Sequence, residues 1–79
     1  MNLHYFKASW KFLFLYLKVT YIVPKNVSLH YYLAATYEEN KNLDKAIQAV
    51  NYLVILAKEQ NHKSLSYYQK YQEELLNNK

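Results

Sequence analysis

The sequence predicts an all-α protein, an array of short antiparallel helices, on three observations. The chain has no glycine and one proline, Pro24, so the two strongest helix breakers are confined to a single point. Between Leu29 and Ala57 the apolar residues recur every three or four positions, the period of a helix face and not of a strand. Two polar clusters, Asn40-Lys41-Asn42 and Gln60-Asn61-His62-Lys63, interrupt that rhythm and mark turns.

Seventy-nine residues make one small domain, whose core alone contributes about 3–5 kcal/mol of net stability. The chain has no cysteine, which excludes a disulfide scaffold and thiolate-held zinc or iron–sulfur sites, and agrees with a reducing, cytoplasmic setting. Without glycine the phosphate-cradling loops of nucleotide enzymes cannot form in their usual shape. The net charge is +4, carried entirely by lysine. Lys7, Lys11, Lys18 and Lys25 precede Asn26 with no acid among them, whereas the other six lysines are matched by six carboxylates. The lack of arginine argues against base-specific nucleic-acid reading, which favours the guanidinium fork.

Residues 2–23 run uninterrupted to Pro24 and are expected to form a first helix. Its lysines share a narrow polar stripe, opposite a broad face that includes Trp10, Leu13, Tyr16, Leu17 and Thr20. The longest uncharged apolar run, Phe12 to Leu17, is far short of the roughly 20 residues of a membrane span, and it is shorter than the usual signal core and interrupted by Lys18. Two roles remain for residues 1–24: a helix packed on the domain, or a cationic helix lying on a membrane surface through Lys7, Lys11, Lys18 and Trp10.

Residues 25–79 are expected to form the main helical unit. Asn26 or Ser28 can cap a helix over about 27–39, with Leu33, Ala34 and Tyr37 on its inner face. Asn42 caps the next, about 43–59, whose Leu43, Ala46, Ile47, Val50, Leu53, Val54 and Ala57 form an apolar stripe widened by Ile55 and Leu56. Ser64 is available to cap the last, about 64–76, with Leu65, Tyr68 and Leu75 inward.

The segment Ser28-Leu29-x-Tyr31-Tyr32 returns as Ser64-Leu65-x-Tyr67-Tyr68, an offset of 64 − 28 = 36, and Glu38 maps onto Glu74. The same offset sets residues 7–22 beside 43–58 but places bulky Trp10 where small Ala46 stands. In this unit Leu33-Ala34-x2-Tyr37 and the later Ala46-x3-Val50 resemble the tetratricopeptide repeat family, whose pattern contains L-G-x2-Y and A-x3-F. His30 replaces the family's Trp and Lys58 its closing Pro. The resemblance covers Leu29 to Gln60 and implies a right-handed stack of about four helices, one full repeat with a helix on either side.

That resemblance also implies a concave face lined by the first helix of each repeat. Ser28, Tyr31, Ala35 and Glu38 would lie on it, continued by Ser64, Tyr67, Tyr71 and Glu74. Aromatic rings beside carboxylates suit a peptide or helix with a basic or apolar anchor. Ten tyrosines otherwise serve as core edges, with their hydroxyls wet.

No catalytic centre is expected. His4, His30 and His62 are dispersed and read as structural, and each of the pairs Glu38-Glu39 and Glu73-Glu74 points about 100° apart on a helix. No cofactor or metal is therefore assigned. The expected function is a small non-enzymatic scaffold that binds a protein or peptide partner or itself, or belongs to a longer array, since about one and a half units leave faces uncovered. The alternative is a membrane-associated adaptor anchored by residues 2–23.

Overall fold

The computed structural model describes residues 9–78, with side chains from residue 13 onward. Four helices follow in order: α1 (Ser9–Ile22), α2 (Val27–Glu39), α3 (Leu43–Glu59) and α4 (Leu65–Asn77). No strand occurs among the described residues, and each helix packs on the next in sequence. Lys7 lies outside the described residues, as do the side chains of Trp10 and Lys11.

Cap chemistry sets the helix starts. α1 stops two residues before Pro24, and the Asn26 N–H donates to the Val23 carbonyl at 3.2 Å across the turn. Asn26 is extended (φ −80°, ψ 111°), so its side-chain oxygen reaches the Leu29 N–H at 3.0 Å and caps α2. The Asn42 side chain does the same for α3, accepting the Lys45 N–H at 3.3 Å.

Ser64 departs from expectation. It occupies the cap position of α4, but at φ −95°, ψ 14° its side chain makes no cap bond. An N-cap needs extended backbone to aim its oxygen back at the first turn. His62 acts nearby instead, its Nδ1 accepting the Ser64 N–H at 3.0 Å.

Both later turns close in the same way without glycine. After α2, the Lys41 N–H donates to the Glu38 carbonyl and the Asn42 N–H to that of Tyr37, both at 2.9 Å. After α3, Asn61 and His62 repeat this toward Lys58 and Ala57 at 3.2 and 2.8 Å. These are Schellman closures, and they need a left-handed residue just beyond the helix. Lys41 (φ 62°) and Asn61 (φ 53°) supply it, the lysine at the greater steric cost.

The core lies around α3, which is covered by α2 on one side and α4 on the other. Val50, Leu53 and Ala57 are fully buried, and Ala34 of α2 and Ala46 of α3 are sealed as well. Small side chains at these two positions let the antiparallel pair approach closely, as the sequence pattern requires. Leu56 joins the core, but Ile55 is 52% exposed: next to a buried residue on a helix, it is turned about 100° away, past the edge of the covered arc. On the α2 side the His30 ring meets Tyr52 edge-on at 4.7 Å, and Gln60 Nε2 donates to the Lys25 carbonyl at 2.7 Å. On the α4 side Gln72 Nε2 donates to Asn51 Oδ1 at 2.8 Å. His30 is buried, its Nε2 lying 2.7 Å from the Pro24 carbonyl oxygen, so it fastens the first turn.

Candidate partner-binding face

α2 and α4 are not neighbours in sequence, yet both lean on α3 and bring their tyrosines edge to edge. The stripe Ser28, Tyr31, Ala35, Glu38 follows i, i+3, i+7, i+10 on α2, and its 36-residue echo on α4 lies alongside. Tyr31 and Tyr67 occupy equivalent places in the two copies, and their hydroxyls stand 3.2 Å apart. The next pair is crossed: the Tyr71 hydroxyl donates to Glu38 Oε1 at 2.7 Å.

Tyr31 is the hub. Its ring centroid lies 5.6 Å from those of both Tyr68 and Tyr71 and 6.1 Å from that of Tyr67. Toward α1 it meets Tyr32 at 5.8 Å, and Tyr32 stacks on Tyr16 at the same distance. An aromatic belt thus crosses from α1 to α4. Six rings at 5.6–6.1 Å spacing lie within the range of favourable offset and edge-to-face pairs.

Four of the eight residues expected on this face, Tyr31, Glu38, Tyr67 and Tyr71, are therefore joined by rings and hydrogen bonds. Glu74 shares a shallow cleft with Tyr67, Lys70 and Tyr71. Ser28 is exposed at the start of α2, Ala35 is half-buried between the helices, and Ser64 sits in the turn before α4. Tyr16, Tyr32 and Lys70 extend the face beyond the expected set, and Tyr68, buried as expected, backs it from the core. The doubled Tyr31-Tyr32 and Tyr67-Tyr68 are the signal for Tyr32 and Tyr68, because adjacent helical positions spread one ring to each side.

Three of the hydroxyls, those of Tyr31, Tyr68 and Tyr71, are held protonated beyond the ordinary phenol range. The hydrogen bond with Tyr67, and then burial, pushes the Tyr31 phenol up to about 12. Burial, followed by the bond to the Glu38 carboxylate, holds Tyr71 well above the ordinary phenol range. Burial also raises Tyr68. Such a surface offers stacking rings, neutral donors and two carboxylates, Glu38 and Glu74.

The residues expected to meet a membrane are placed differently. Lys18 is exposed in the middle of α1, in a shallow hollow with Phe14, Leu17, Tyr21 and Ile22. No helix among the described residues is long and apolar enough to cross a membrane. Among the same residues no three histidine or acidic side chains gather as metal ligands would.

A family model for the tetratricopeptide repeat matches residues 15–48, from the middle of α1 across α2 into α3. No curated protein and no solved structure matches the chain. The match enters through α1 and so crosses the turn at Pro24, whereas the sequence motifs quoted above begin at Leu29.

Proposed function

We propose that this chain, which carries a tetratricopeptide repeat, is a small non-enzymatic interaction module that holds a peptide or helix of a partner protein on its α2–α4 tyrosine face. Tetratricopeptide repeats generally mediate protein–protein interaction or scaffolding. The observation that carries the reading is the joining of Tyr31, Tyr67, Tyr71 and Glu38, from two helices 36 residues apart, into one face. Tyr67 is 59% exposed, and Glu38 and Glu74 are exposed. Rings of this kind give large contact area at little entropic cost, and the carboxylates favour a partner with a lysine or arginine beside an apolar anchor.

The experiment is a peptide library panned on the whole chain, followed by titration of the enriched peptides. Peptides that pair a basic residue with an aliphatic or aromatic one should enrich. Tyr31→Ala/Tyr67→Ala should weaken them at least tenfold while the far-ultraviolet circular dichroism stays helical. Undiminished binding by a folded double variant would exclude this face.

A further inference from the structure

The two ends of the stack are built differently. In α2 the side that meets α3 consists of His30, Leu33, Ala34 and Tyr37, three buried and one half-buried. Thirty-six residues on, α4 carries Ser66, Gln69, Lys70 and Glu73, all exposed. A polar outer face of this sort ends a repeat stack. At α4 the stack presents a polar face.

At α1 it is open. The 36-residue offset that relates α2 to α4 does not relate α1 to α3; at the 34-residue period of the tetratricopeptide repeat, whose family model matches residues 15–48, Leu15 stands opposite Ala49. The burial pattern supports this register. Leu13, Tyr16 and Thr20 turn inward, as do Ile47, Val50 and Val54; Phe14, Leu17, Lys18 and Tyr21 are exposed, as are Gln48, Asn51, Tyr52 and Ile55. The third group differs most. Leu15, Val19, Ile22 and Val23 are 56%, 39%, 74% and 42% exposed, whereas their counterparts Leu53, Leu56 and Ala57 are 0–1% exposed and Ala49 is half-covered. That stripe of α3 is the side continuous with Tyr52 and Gln60, which reach His30 and the chain before α2. The bare stripe of α1 is the place a preceding helix would take.

We propose that the Leu15–Val19–Ile22 stripe of α1 receives an amphipathic helix from an acidic partner protein, lying antiparallel to α1 as α2 lies against α3. The surface continues an interface already present in the fold. Charge selects the occupant: Lys18 adjoins the stripe, and the chain before Asn26 carries four lysines and no acid. A second copy fits poorly. Its α4 end is polar, and pairing two α1 helices sets like charges against each other.

The test uses the whole chain and a synthetic helical peptide with leucines at i, i+4, i+7 and i+11 flanked by glutamates, against the same peptide flanked by lysines. The glutamate peptide should bind at least tenfold tighter than the lysine peptide, and Val19→Asp should weaken it at least tenfold with unchanged helicity. Tyr31→Ala/Tyr67→Ala should leave this binding intact, which separates the stripe from the tyrosine face. Equal binding of the two peptides would overturn the proposal. So would a dimer in light scattering that Val19→Asp dissociates. Co-sedimentation with phosphatidylserine vesicles lost in Val19→Asp, without peptide binding, would assign the stripe to lipid instead.

Discussion

α1 and α3 occupy equivalent places in the stack and are similarly rich in apolar residues, yet one is half bare and the other sealed. The core of α3 is made of Ala46, Val50, Leu53 and Ala57, with 0% exposure, because α2 and α4 cover it from both sides. Among the described residues α1 packs on α2, and the tyrosine pair Tyr16–Tyr32 joins them. Apolar composition therefore sets what a helix is able to bury, while its neighbours set what it does bury.

The sharpest way to break that comparison is a matched pair of truncations. Leu53→Ala, at a site with no exposure, should lower stability by about 2–5 kcal/mol in urea unfolding. Tyr16→Ala, half-buried against Tyr32 of α2, should cost less than half as much. Equal losses would mean that α1 is held as firmly as α3.

A smaller effect addresses the covered half alone. Tyr31, Tyr68 and Tyr71 all have raised phenol pKa values in the folded chain. Below pH about 10, the ordinary phenol value, folded and unfolded chains are equally protonated and these groups contribute their full stability. As pH rises from there through the folded value of about 12 for Tyr31, the unfolded chain loses protons first and stability falls. Thermal melts between pH 8 and 11 should show that decline, and Tyr31→Phe should make it shallower.

The smallest expected change widens the gap between the two helices. Lys41, at φ 62°, closes α2 in a conformation that costs a side-chain-bearing residue about 1–2 kcal/mol. Lys41→Gly should raise stability by only about 0.5–1 kcal/mol, because glycine also gains freedom in the unfolded chain. Native-state hydrogen exchange should slow in the α2–α3 hairpin, with α1 little altered.

The parts of this fold that depend on local chemistry were legible in the sequence. The Asn26 and Asn42 caps, the stop before Pro24 and the close Ala34 and Ala46 contacts all follow from a few adjacent residues. The 36-residue echo placed Tyr31 and Tyr67 on one face, and their hydroxyls meet there. What escaped depends on neighbours or on backbone angles. Ile55 carries the same apolar signal as Leu56, and only the placement of α2 and α4 decides which is covered. Ser64 has the side chain of a cap but not the dihedral angles. The Tyr16–Tyr32 stack required the rotation of α1 about its own axis, which its nearly all-round apolar surface leaves unspecified.

The crossed hydrogen bonds of the tyrosine face have a consequence for how the chain assembles. Helix packing here joins sequence neighbours, an arrangement of short-range pairings that form quickly and can fray from an end. The Tyr31–Tyr67 and Tyr71–Glu38 links span 36 and 33 residues and form only after both hairpins around α3 are in place. They are late contacts, and they tie α4 to α2 so that neither hairpin opens without straining the other. The same clasp is therefore expected to make the last three helices melt together, with α1, outside it, opening first.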